Sequence, residues 1–135
     1  MLAACAAYQV ALGTYFIVWR PSLLPEDVRF MRTSSEALQI APGLSQWLQW
    51  VFAVMGGQMI ALGMLILLVA ARLRNSGEVS RLELFLLATA AAASVVLMST
   101  VNFAIHSDFR FLLIIPVAMW IGVLLLLLLS RRADH

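Results

Sequence analysis

Four long apolar stretches leave this chain too little polar sequence to build a water-soluble domain. They run over about residues 2–19, 47–71, 82–105 and 109–129, each near the ~20 residues that a helix needs to cross a hydrocarbon core. With 63% hydrophobic and 12% charged residues, the chain departs far from the ~45–50% apolar and ~25% charged usage of soluble domains. The expected fold is all-α: a four-transmembrane-helix bundle with a short amphipathic helical cap between helices 1 and 2. Residues 1–135 should form one integral membrane domain.

The net charge of +2 does not point to nucleic acid. The arginines sit at segment ends, and no basic face is long enough to track phosphates. All nine basic residues are arginine, a bias to which no mechanism is attached. Cys5 is the sole cysteine, so an internal disulfide is excluded. Leu2-Ala3-Ala4-Cys5 imitates a lipoprotein cleavage box, but the charged start and apolar stretch that such a box requires do not precede it. Cys5 is expected to be unmodified. Trp19-Arg20-Pro21 places bulky residues where a signal peptidase needs small ones, so the first stretch reads as a retained helix that Pro21 closes.

Arginine distribution sets the expected orientation. Arg72, Arg74, Arg81, Arg131 and Arg132 lie tightly beside membrane ends on one face, against Arg20, Arg29, Arg32 and Arg110 on the other. The positive-inside rule then puts both termini in the cytoplasm of a multi-pass inner (plasma) membrane protein. Trp19, Trp47 and Trp50 fall at the outer interface, where indole rings favour the headgroup level.

The connection from Arg20 to Gln46 carries helix-start signals. Pro25 followed by Glu26 and Asp27 suits a first helical turn. Thr33 and Glu36 have capping-box spacing, and Pro42-Gly43 breaks the chain before the second span. Val28, Met31, Leu38 and Ile40 give this segment an apolar side, as expected of a cap lying on the membrane surface.

Within the spans, Ala53, Gly57 and Ala61 recur every four residues, with Gly56 and Gly63 near the same side. Small residues at this spacing let helix backbones approach closely, here against the chain's own helices or against a second copy. The alanine-rich third span should sit centrally. Gln9 and Gln58 fall near mid-membrane and are expected to bond each other, a backbone carbonyl or a trapped water, since a lone amide in hydrocarbon is costly. Pro116 should bend the fourth span near the carbonyl of Leu112. Trp120 would fill the gap, with its indole nitrogen on a polar neighbour.

One cluster has the residue types for chemistry. Asn102, His106, Asp108 and Arg110 close the third span, on the same side as Glu26, Asp27 and Arg32 of the cap. Acid, base and imidazole converge nowhere else. The alternative is a tight turn, with Ser107 or Asp108 capping the fourth span and Arg110 snorkelling to headgroups. No metal site is expected, because a zinc site needs more imidazole or thiolate ligands than His106 offers and His135 belongs to the opposite face. No cofactor is expected either.

Pro25-Glu26-Asp27-Val28-Arg29-Phe30-Met31, then Leu38, Pro42 and Leu44, then Met55-Gly56-Gly57 with Gly63, resemble a family of uncharacterised small bacterial four-helix integral membrane proteins. The likeness implies the four-span layout and transfers no catalytic residue. Two departures stand out. Arg32 occupies the place of the family's glycine after Phe-Met, and Gln49-Trp50-Val51-Phe52 replaces its charged run before the double glycine.

The functional expectation is an accessory or structural subunit of a membrane complex, with membrane lipids and other membrane subunits, or copies of itself, as partners. A lipid or apolar small-molecule binding or transport module, entered beneath the cap toward Gln58 and Trp120, is the first alternative. A membrane enzyme using a His106/Asp108 turn is the second.

Overall fold

The computed structural model describes residues 1–34, 43–76 and 78–133. All regular structure among them is helical: α1 (Leu2–Val18), α2 (Pro25–Phe30), α3 (Leu44–Ser76), α4 (Arg81–Ala104) and α5 (Ile114–Ala133). Three helices, α3, α4 and α5, are long and apolar enough to cross a membrane, whereas α1 is apolar but only 17 residues long. Less than a quarter of each long apolar window is buried inside the protein, so side chains such as Leu68, Phe85 and Ile115 face outward. Apolar exposure on that scale suits hydrocarbon and not water, and the chain is a helical membrane protein.

Glycine decides the tightest packing. A Cβ on Gly13 would lie 2.5 Å from the carbonyl oxygen of Gly56, and one on Gly63 would lie 3.0 Å from that of Ala6. The pairing of 13 with 56 and 6 with 63 makes α1 and α3 antiparallel neighbours whose backbones nearly touch. α1 ends where Trp19 and Arg20 both donate their N–H groups to the carbonyl of Tyr15, at 2.9 Å each. Pro21 follows and has no N–H to continue the ladder. Ser22 and Ser45 join their hydroxyls at 2.6 Å across the same end.

The core draws on every long helix: Cys5 and Ala6 of α1, Ile66 of α3, Leu87, Ala91 and Val95 of α4, and Trp120 and Val123 of α5. α4 does not take the central place expected of it. It buries a single stripe, Leu87, Ala91, Val95 and Ser99, while Leu82, Phe85, Leu86, Leu97 and Val101 point outward. Alanine content allowed close packing but did not create partners on every side. Between Ala92 and Val96 the helix widens into a π turn, marked by the Leu97 N–H reaching the carbonyl of Ala92. Ser99 then donates its hydroxyl to the carbonyls of Val95 at 2.8 Å and Leu113 at 3.2 Å, fastening α4 to the approach of α5.

Two span boundaries differ from expectation. α3 begins at Leu44 and continues through Ser76, 33 residues in all. The last span starts at Ile114 and not at Phe109, because residues 108–113 form turns. Pro116 therefore lies in the first turn of α5, where its missing N–H would have no intrahelical partner anyway. The carbonyl of Leu112 accepts from the Ile115 N–H at 3.2 Å, so the expected mid-helix opening there is absent. The Glu36, Leu38, Ile40 and Pro42 readings fall outside the described residues.

α4 starts at a complete capping box. Glu83 donates its N–H to Ser80 Oγ at 3.1 Å and accepts from the Ser80 N–H at 2.9 Å. Its carboxylate also pairs with Arg72 of α3, tying together the two helix ends that the 77–80 connection joins.

Candidate functional site

The cap and the α4–α5 turn do meet, through two pairs. α2 starts with Pro25 in its first turn, and Asp27 Oδ2 accepts from the Leu24 N–H at 2.9 Å. That geometry turns Glu26 inward. It is only 3% exposed and accepts from the Ser107 hydroxyl at 3.1 Å. Ser107 Oγ in turn accepts from the Phe109 N–H at 3.2 Å. At the rim, Arg29 holds Asp108 at 2.8 Å, with both side chains about 60% exposed.

Arg20 anchors the other flank. Its guanidinium lies 3.5 Å above the Phe52 ring and 5.2 Å from that of Phe16, with Asp27 3.7 Å away. Burial pulls its pKa below the usual arginine value, and Asp27, Tyr15 and Glu26 oppose that shift. A stacked, paired guanidinium suits the boundary between hydrocarbon and headgroups.

Of the seven residues expected to form one cluster, several turn to other work. Asn102 donates its amide to the carbonyl of Met98 at 2.9 Å, one turn back on its own helix. Arg110 lies against the Phe111 ring, 4.9 Å from its centroid. Arg32 and His106 have positive φ, 51° and 55°, and both are exposed. Each stops a helix in the same way. The His106 N–H reaches the carbonyl of Phe103 and that of Ser107 reaches Asn102, while Arg32 and Thr33 reach Arg29 and Val28. These are Schellman closures, in which the left-handed residue is most often glycine. The chain thus holds Arg32 in a left-handed conformation that glycine adopts without a Cβ clash.

The carboxylates of Glu26 and Asp108 are brought into one neighbourhood, but through Ser107 and Arg29, and not through the imidazole. Arg29 was legible only as a charge in the cap, since its partner is 79 positions away. Among the described residues no group of three or more His, Cys, Asp or Glu is placed to hold a metal ion. The arrangement can latch α2 onto the 106–109 turn.

The intramembrane amides do not meet. Gln9 is 1% exposed with its Oε1 unpartnered, and Trp120 is 2% exposed with its Nε1 unpartnered. The polar neighbour expected for that indole is therefore absent among the described residues. Gln58 is exposed on α3, so it neither bonds Gln9 nor lines a common slot with the buried Trp120. The amides part because α3 turns its glycine face, and not its glutamine face, toward α1.

The small residues of α3 divide in the same manner. Gly56 and Gly63 are buried against α1, whereas a Cβ on Gly57 would meet nothing within 4 Å. Gly57 and Ala61 are exposed and Ala53 is half-buried. With Gln58 beside them, they form an open face of α3 flanked by Val54, Met64 and Leu65. Comparison with known proteins adds no relative: no family model, curated protein or solved structure matches this chain.

Proposed function

We propose that this is a small four-span protein of the bacterial inner membrane, with both termini cytoplasmic, acting as an accessory or structural subunit of a membrane complex. The open face of α3 carries this reading. Ala53, Gly57 and Ala61 give a shallow groove at four-residue spacing, and the Gln58 amide beside it has no hydrogen-bond partner among the described residues. Small-residue grooves and polar amides are the two devices by which membrane helices associate in lipid. The occupant is a helix of a partner subunit or of a second copy. The likeness of residues 25–63 to small bacterial four-helix proteins supports the layout.

α1 serves as the fourth span in this reading. Its 17 residues rise about 26 Å at 1.5 Å each, slightly short of a ~30 Å core. Trp19 and Arg20 extend it into the interface, and its seam with α3 holds it upright. The exposed Trp19, Trp47 and Trp50 mark the outer headgroup level.

The reading is tested by zero-length and cysteine cross-linking in native membranes, followed by mild-detergent purification. Cross-links from position 57 or 61 to a partner or second copy are expected. A chain that stays solitary in the membrane, with those positions reactive only toward lipid-soluble reagent, overturns it. Labelling of residues 72–81 and of the carboxyl end from the same side tests the topology. No observation favours an enzyme using His106 and Asp108, since the first closes a helix and the second is held by Arg29.

A further inference from the structure

At its other end the open face of α3 changes character. Leu68, Ala71, Arg72, Asn75 and Ser76 line a shallow, largely open groove along this one helix. The order along the helix is that of an amphiphile: Leu68 and Ala71 toward mid-membrane, then a cation and two hydrogen-bonding side chains at the aqueous end. Asn75 is exposed and its amide has no hydrogen-bond partner among the described residues. Ser76 donates its hydroxyl to the Arg72 carbonyl at 3.2 Å, which turns the oxygen lone pairs outward.

The charge around the groove selects the headgroup. Arg72 lies in the groove, and Arg74 and Arg81 flank it in sequence against Glu78 and Glu83. Glu83 serves both Arg72 and the Ser80 cap, and its side chain is largely buried, whereas that of Arg72 is 58% exposed. The outer part of the guanidinium is thus open to a second anion. An anionic headgroup gains from this surplus, while a choline headgroup would bring its own cation toward the same arginines.

We propose that this groove is a binding site for one anionic glycerophospholipid of the leaflet on the side of residues 72–81. The phosphate accepts from the Arg72 guanidinium and the Asn75 amide, and an acyl chain lies along Leu68 and Ala71. Arginine provides the planar donor fork that phosphate recognition favours. The site rests on the membrane placement above and is independent of the subunit role, so lipid retention and helix association are read separately.

The test extracts the full chain from vesicles of equimolar phosphatidylglycerol and phosphatidylcholine into mild detergent and counts retained lipids by native mass spectrometry. Phosphatidylglycerol should exceed phosphatidylcholine by about fivefold, the worth of one arginine near an anionic headgroup. Arg72→Gln and the groove-filling Ala71→Trp should both return the ratio to that of the vesicle, while Arg131→Gln, outside the groove, should leave it unchanged. Glu83→Gln keeps the cap, because glutamine fits a capping box, and frees Arg72, so it should raise the ratio. A wild-type ratio equal to the bulk overturns the proposal. So does an equal loss in Arg131→Gln, which would mean diffuse attraction only, or displacement of the lipid by millimolar inorganic phosphate, which would mean a site for free anion.

Discussion

Two faces of α3 carry the same kind of residue and do opposite things. Toward α1, Gly56 and Gly63 let two backbones come so close that any side chain would strike a carbonyl or a neighbouring side chain. Little more than a quarter-turn around the helix, Gly57 and Ala61 look equally suited to packing but face outward. The lesson is that four-residue spacing of small residues reports a capacity for approach and not the identity of what approaches. In the first case the partner is covalently linked and already in place. In the second, no described segment of the chain covers the face, and Gln58 stands exposed on it.

Substitution on the buried face should have the largest effect. Gly56→Leu would drive a side chain into Gly13, Ile17 and Phe16, and overpacking of this severity against backbone should cost about 3 kcal/mol or more. Detergent thermal unfolding would record it as a large fall in midpoint. If Gly56→Leu unfolds no more readily than wild type, the seam is not the organising contact of the bundle.

The matching change on the open face, Gly57→Leu, should leave unfolding within about 0.5 kcal/mol of wild type, as for surface sites without special contacts. It should abolish the cross-links formed through position 57 or 61. Gln58→Leu should weaken them less, since interhelical hydrogen bonds in membranes average about 0.6 kcal/mol. Wild-type association in both variants would dissolve the distinction between the faces.

Buried and open versions of one interaction also occur at the cap. Glu26→Ala leaves the buried Ser107 hydroxyl without its acceptor and should cost about 1–3 kcal/mol, seen as faster proteolysis near residues 20–34. Arg29→Ala removes a pair that is about 60% exposed on both sides and should cost under about 1 kcal/mol. A shift in the opposite direction is expected for His106→Gly. Relief of a left-handed φ of 55° should stabilise by about 1 kcal/mol, with the phenotype retained. A lost phenotype in a better-folded variant would return His106 to the candidate chemistry.

Much of the helical layout was legible because apolar length and helix-stopping residues are local properties. Pro21 and Pro25 each act within one turn of where they stand. The onset of α5 was misplaced because Phe109 to Leu113 are apolar enough to be helical, yet they are drawn into turns that Ser99 fastens to α4. The cluster around the cap was legible as a neighbourhood and not as a set of partners. Arg29, Ser107 and the left-handed roles of Arg32 and His106 depend on how distant segments dock.

Composition alone determined the solvent. A chain this apolar must turn most of its side chains toward lipid, and its helices follow from the need to satisfy the backbone there. Only the tertiary structure decided which face of α3 meets α1, where the two glutamines go, and which anion sits beside Arg29 or Arg72. Hydrophobic burial is a weak guide to those choices, because in hydrocarbon one apolar face is as well solvated as another. Close fit and hydrogen bonding between segments far apart in the chain discriminate instead.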